Sequence, residues 1–219
     1  LFLLLSLSTT AQTPTAPAVS SPARGVRAVW LCTYSGLDWP AGRYARTAAE
    51  ALEQKAQLSR IFDGLQAAGI NTVLFQTRIR ATVAYPSHIE PWDGAFSGTP
   101  GVAPPYDVLR FAIDEAHRRG MELHAWINPF RAKTKDTKEL AANHPYWLHP
   151  DRFFSYDGLI LFDPGVIENQ RYICDVAADI VRRYDVDGLH IDDYFYPYPA
   201  AGLPIPDDAT YAANRNGFN

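Results

Sequence analysis

The chain has 219 residues, 47% of them hydrophobic and 20% charged, the composition of a soluble globular protein with room for a sizeable core. A formal net charge of −4 with no basic stripe excludes sequence-independent nucleic-acid binding, which needs cations to neutralise phosphates. Cys32 and Cys174 lie far apart in apolar settings and read as two buried free thiols; an exported location would permit a disulfide, but the spacing does not imply one.

The chain starts LFLLLSLSTTAQ, the apolar run and small-residue end of a secretory signal without its charged start. Thr9 and Ala11 predict cleavage before Gln12, so residues 1–11 read as a signal peptide and the protein is expected to be exported, to the periplasm or beyond the cell. Residues 12–24, rich in Pro, Ala, Ser and Thr, read as a flexible lead-in, and no later run is long enough to span a membrane.

Strand and helix patterns then alternate. Residues 26–33 predict a first strand, and 47–68 a helix opened by Thr47 and Glu50 at capping-box spacing, with Leu58, Ile61, Phe62 and Leu65 on one face and Gly69 as its stop. A second strand is expected at 71–76, a second helix at 107–119 closed by Gly120, and a third strand at 122–127. Asp163 and Pro164 are expected to start a third long helix, which leads to a fourth strand at 187–192. Repeated βα units imply a parallel sheet built by right-handed crossovers. The expected fold is α/β, a (β/α)8 TIM barrel of which residues 25–219 hold roughly the first four units.

Turns from helix to strand are brief, whereas the segments after strands are long and carry Trp39, Tyr85, Trp92, Phe96, Tyr146, Trp147 and Phe154. In a (β/α) barrel the working face is built from the loops after the strands. Alternation along each strand turns Val29, Leu31, Val73, Phe75, Leu123, Ile127, Leu189 and Ile191 toward the helices. It turns Trp30, Cys32, Gln76, Arg78, His124, Trp126, Asn128, His190, Asp192 and Tyr194 inward, with Tyr34, Arg78, Asn128 and Asp192 at the mouth.

The segment VDGLHIDDYFYPYP, residues 186–199, ends a buried strand on two adjacent acids, Asp192 and Asp193. Packing gains little from that arrangement, since desolvation and mutual repulsion both cost free energy. Glycoside cleavage uses such carboxyls: one protonates the leaving oxygen, while the other stabilises positive charge or attacks the anomeric carbon. An N-acetyl group on the sugar can supply the nucleophile itself. Asp192, inward by parity, is the principal catalytic candidate, and Asp193 joins it where the backbone bends. Candidate substrate contacts are Tyr34, Trp39, Gln76, Arg78, His124, Trp126, Asn128, His190 and Tyr194, with packing the alternative for Trp126 and loop anchoring for Trp39. No cofactor is expected. Two other readings stay open: a glycan-binding module without catalysis, and a metal-dependent hydrolase using His190, Asp192 and Asp193.

Four stretches, VRAVWLCTYSGLDWP at 26–40, GINTVLFQTRIRATVAYPSHIEPW at 69–92, YDVLRFAIDEAHRRGMELHAWINPFR at 106–131 and YDVDGLHIDDYFYPYP at 184–199, resemble the glycosyl-hydrolase-like 10 family of bacterial exported barrel proteins. The resemblance implies a glycoside hydrolase of the bacterial envelope whose polysaccharide substrate contains N-acetylated hexosamines, as the peptidoglycan backbone does. It also implies a domain that continues past residue 219, so that this portion alone is expected to be inactive. Compared with the DGxDxDxE strand of chitinase-like barrels, His190 stands at the second acid and Tyr194 at the acid catalyst, so the chitinase mechanism does not carry over.

Overall fold

The computed structural model describes residues 25–192 and 196–213. The signal-like start, the lead-in, Asp193 and Tyr194 lie outside the described residues. Strand β1 (Ala28–Leu31) leads through α1 (Ala48–Ala67) to β2 (Thr72–Arg78), and the one-turn α2 (Gly94–Ser97) and α3 (Val108–Arg118) follow before β3 (Glu122–Ile127). A long excursion holds β4 (Arg131–Lys133), α4 (Pro145–Leu148), β5 (Phe153–Tyr156) and β6 (Leu159–Phe162). Helix α5 (Ile167–Arg183) returns the chain to β7 (Gly188–Ile191), and α6 (Asp208–Ala213) is the last described element.

The capping box forms at the start of α1: Glu50 N–H donates to Thr47 Oγ1 at 3.2 Å, and Thr47 N–H donates to Glu50 Oε2 at 3.0 Å. Two backbone donors that the helix leaves unpaired are thereby satisfied. Strands β1, β2, β3 and β7 pair in that order, all parallel, with a helix between each successive pair. This is the plan of the first half of a (β/α)8 barrel. Leu31, Val73, Phe75, Leu123 and Ile127 bury one sheet face against Leu58 and Phe62 of α1, Leu109 and Ile113 of α3, and Val176 and Ile180 of α5.

Several expectations need correction. Leu189 and Ile191 share that sheet face but are 39% and 53% exposed, because β7 has a neighbour among the described strands on one side only. The third helix starts at Ile167 rather than at Asp163. Asp163 instead caps a tight turn, its Oδ1 accepting from Gly165 N–H at 2.8 Å. The 128–163 segment is not a plain loop, since β4, β6 and β5 form a separate antiparallel sheet in that order. Its hairpin turns on Asp157 and Gly158, at φ 45° and 78°. Two left-handed residues in a two-residue loop are the type I′ turn that suits the twist of paired strands. Cys174 is exposed and Cys32 half-buried rather than both being buried, and both cysteines are free thiols.

Candidate active site

Asp192 directly follows the last residue of β7 and is 8% exposed. The β3–β7 register pairs Trp126 with His190 and Ile127 with Ile191, which brings the end of β3 alongside the acid. Trp126 Nε1 donates to Asp192 Oδ2 at 2.8 Å, and Asn128 Nδ2 donates to Asp192 Oδ1 at 2.9 Å. Both carboxyl oxygens are therefore held by donors from the neighbouring strand. Below them Trp30 meets Trp126 and His190 edge-on, with ring centroids 4.6 and 4.5 Å apart, so three rings from three strands gather on the inward face.

Asn128 works in two directions. Its Oδ1 accepts from Arg131 N–H at 2.8 Å, which ties the start of β4 to the acid. Arg131, Thr134, Leu161, Tyr196 and Tyr34 line a cavity of about 280 Å3 beyond it. Gln76 fixes the Tyr34 side of this cavity: its Oε1 accepts from Cys32 Sγ, Thr33 N and Tyr34 N at 3.2, 2.9 and 2.7 Å. The Tyr34 hydroxyl bonds Thr134 Oγ1 at 2.8 Å and also meets Asp136. Hydrogen bonds from Thr134 and Tyr34 hold the Asp136 carboxyl below the usual carboxylate range, while burial and the bond to Asp136 push the Tyr34 phenol up. Tyr34 is thus a donor to an ionised Asp136. Burial likewise pushes the Cys32 thiol up, and the charges of Asp38, Arg131 and Asp192 all act on it.

Four residues expected to contact substrate are placed otherwise. The β2–β3 register shifts between Gln76 and Arg78, so alternation fails there, and Arg78 is fully buried. Its Nε and Nη2 bond Glu90 at 2.8 and 2.6 Å, and its Nη1 reaches the carbonyls of Asn128 and Pro129. Arg78 is a structural cross-brace. Gln76 is 1% exposed, with its amide oxygen given to loop backbone. Trp39 is fully buried between Phe75 and Phe96, its Nε1 donating to Gln54 O at 3.2 Å. Trp92 is also buried, and of the three loop tryptophans only Trp147 is exposed. His124 pairs with Gly188, four residues before Asp192 and so roughly 13 Å down the strand at the far end of the sheet.

Trp126, Asn128, His190 and Asp192 are brought together and Tyr34 lines the adjoining Arg131 cavity, whereas Asp193 and Tyr194 lie outside the described residues. Arg131, Thr134, Asp136 and Tyr196 were not anticipated. The Asp157-Gly158 dipeptide between two apolar runs was the available signal, since the hairpin it forms carries Leu159 and Leu161 into the cavity wall. Among the described residues no three His, Cys, Asp or Glu side chains gather as a metal-binding group.

The family described as Glycosyl hydrolase-like 10 matches residues 25–217. The chain is 37% identical over 190 residues to a protein named glycosyl hydrolase YngK from Bacillus subtilis, covering 86% of this chain and 36% of that protein. It is 36% identical over 225 residues to glycosyl hydrolase DigH from Escherichia coli K12, covering 93% of this chain and 51% of that one. The chain therefore spans about half or less of the length of these relatives. Among solved structures, alpha-L-fucosidase isoenzyme 2 from Paenibacillus thiaminolyticus superposes with a TM-score of 0.50 at 16% identity, over 76% of this chain and 23% of that one. At that identity the likeness is one of fold.

Proposed function

The chain belongs to the glycosyl hydrolase-like 10 family, and on that premise we propose that the protein hydrolyses glycosidic bonds in a bacterial envelope glycan containing N-acetylated hexosamines, with Asp192 as the principal catalytic carboxyl and Asp193 in support. The observation that carries this reading is the hold on Asp192. A nearly buried acid at a strand end, gripped on both oxygens by Trp126 and Asn128, is oriented in advance of any substrate. Because both oxygens accept hydrogen bonds, the role that fits is that of acceptor: stabilising positive charge at the anomeric carbon, orienting an N-acetyl group, or accepting a proton. A proton donor to the leaving oxygen then comes from a second group. The apolar start and its small-residue end support an exported protein, where such a glycan is met.

The test is Asp192→Asn in the full-length protein, assayed on isolated peptidoglycan glycan strands. Turnover is expected to fall by about 10²- to 10⁴-fold with binding retained. Undiminished turnover would remove Asp192 from catalysis, and turnover abolished by a chelator in the wild type would favour the metal-dependent reading.

A further inference from the structure

A second, larger cavity of about 340 Å3 is lined by segments that, like Asp192 after β7, follow strands. It is built by three segments that each follow a strand: the β1–α1 loop with Tyr44, the β2–α3 segment with Arg80, and the stretch after β4 with Asp136, Lys138 and Glu139. Its size is within the range of small-ligand sites. It is separated from the Arg131 cavity by one hydrogen-bonded wall, Tyr34–Thr134–Asp136, in which Tyr34 and Thr134 face the smaller cavity and Asp136 the larger.

The walls are held in place before any ligand arrives. Arg80 Nη1 donates to Thr137 Oγ1 at 3.0 Å, its Nε lies 3.3 Å from Asp93 Oδ2, and its guanidinium stacks 5.0 Å from the Tyr34 ring centroid. The Tyr44 ring packs down on Gly98, where an added Cβ would come within 3.0 Å of it. Glycine at φ +86° is what lets the two approach. Tyr44 remains 43% exposed. At the rim, Lys138 and Glu139 are exposed and form no ion pair among the described residues.

The lining selects a ligand class. An anion would meet Asp136 and Glu139, and a cation would meet Arg80 and Lys138. A neutral ring bearing hydroxyls, each able to donate and accept, can use both signs, and its C–H face can lie on Tyr44. We propose that this cavity is a distal sugar subsite, taking a neutral hexose or N-acetylhexosamine unit of the glycan chain whose scissile bond lies beside Asp192. The proposal rests on the glycan-cleaving reading for the identity of that chain.

The experiment compares binding and turnover of β-1,4-linked N-acetylglucosamine oligomers of two and six units by the full-length protein, for the wild type, Tyr44→Ala and the double variant K138M/E139Q. The hexamer is expected to bind the wild type more tightly than the dimer, and each variant to weaken hexamer binding by about tenfold, the effect of losing one stacking or charged hydrogen-bonding contact, while leaving the dimer unchanged. Equal affinity for the two lengths in the wild type, equal loss for both in the variants, or no loss for either overturns the subsite. Length-dependent binding that the variants reduce, without turnover by the wild type of either the oligomers or isolated peptidoglycan glycan strands, supports the subsite and overturns the cleavage reading.

Discussion

The indole Nε1 of Trp126 donates to Asp192 Oδ2 across 2.8 Å, so an inward aromatic of β3 orients the acid at the end of β7. Trp126 is therefore more than packing. Trp126→Phe keeps a ring against Trp30, 4.6 Å away, but removes the donor. Turnover of glycan by the full-length protein is expected to fall about ten- to a hundredfold with the melting temperature little changed, the signature of a positioning residue. Equal losses in stability and activity would mean that the indole only packs.

The Arg78–Glu90 pair has no exposed side-chain surface at either end. Removing one partner strands a buried charge, so Glu90→Gln is expected to destabilise by about 3–5 kcal/mol in denaturant titration. Arg78→Met with Glu90→Leu should recover part of that loss, since no charge is left unpaired while the Asn128 and Pro129 carbonyls lose their donor.

Gly158 holds φ +78° in the hairpin that carries Leu159 and Leu161 into the cavity wall. Gly158→Ala forces a side chain into the left-handed region, and its Cβ would come 3.3 Å from Lys135 Cγ. The expected cost is roughly 1–2 kcal/mol. KM for glycan should rise with it, because the hairpin is part of the wall; an unchanged KM would separate the hairpin from substrate.

Glu115 supplies a pH test of the scaffold. Burial pushes its carboxyl up, but hydrogen bonds from Arg118, Ser59 and Arg119 outweigh this and hold it down at about 2. With an unfolded value of about 4.3, its contribution is fully present above that pH and is lost as pH falls through the folded value. Between about pH 4.3 and 2 the wild type should therefore lose more stability than Glu115→Gln, which has no such carboxyl to protonate. Parallel curves for the two proteins would show that Glu115 is not held in this way.

What the sequence determined by itself was local and periodic. The Thr47–Glu50 cap, the alternation of strand and helix, and the inward side of β1, β3 and β7 follow from hydrogen bonds and spacings a few residues long. Asp192 was legible for the same reason, as an acid that an apolar strand could not explain. The Asp157-Gly158 turn was also legible in principle, though its strands lie in a stretch dominated by loop-forming residues. Tertiary structure decided what each inward or loop residue touches. A bulge in β2 took Arg78 out of alternation and set it on Glu90, and a core beneath the loops took Trp39 out of solvent. The wall that separates the two cavities joins Tyr34 to Thr134 and Asp136, residues about a hundred positions apart. No periodicity reports such contacts, because they depend on where two long loops meet in space.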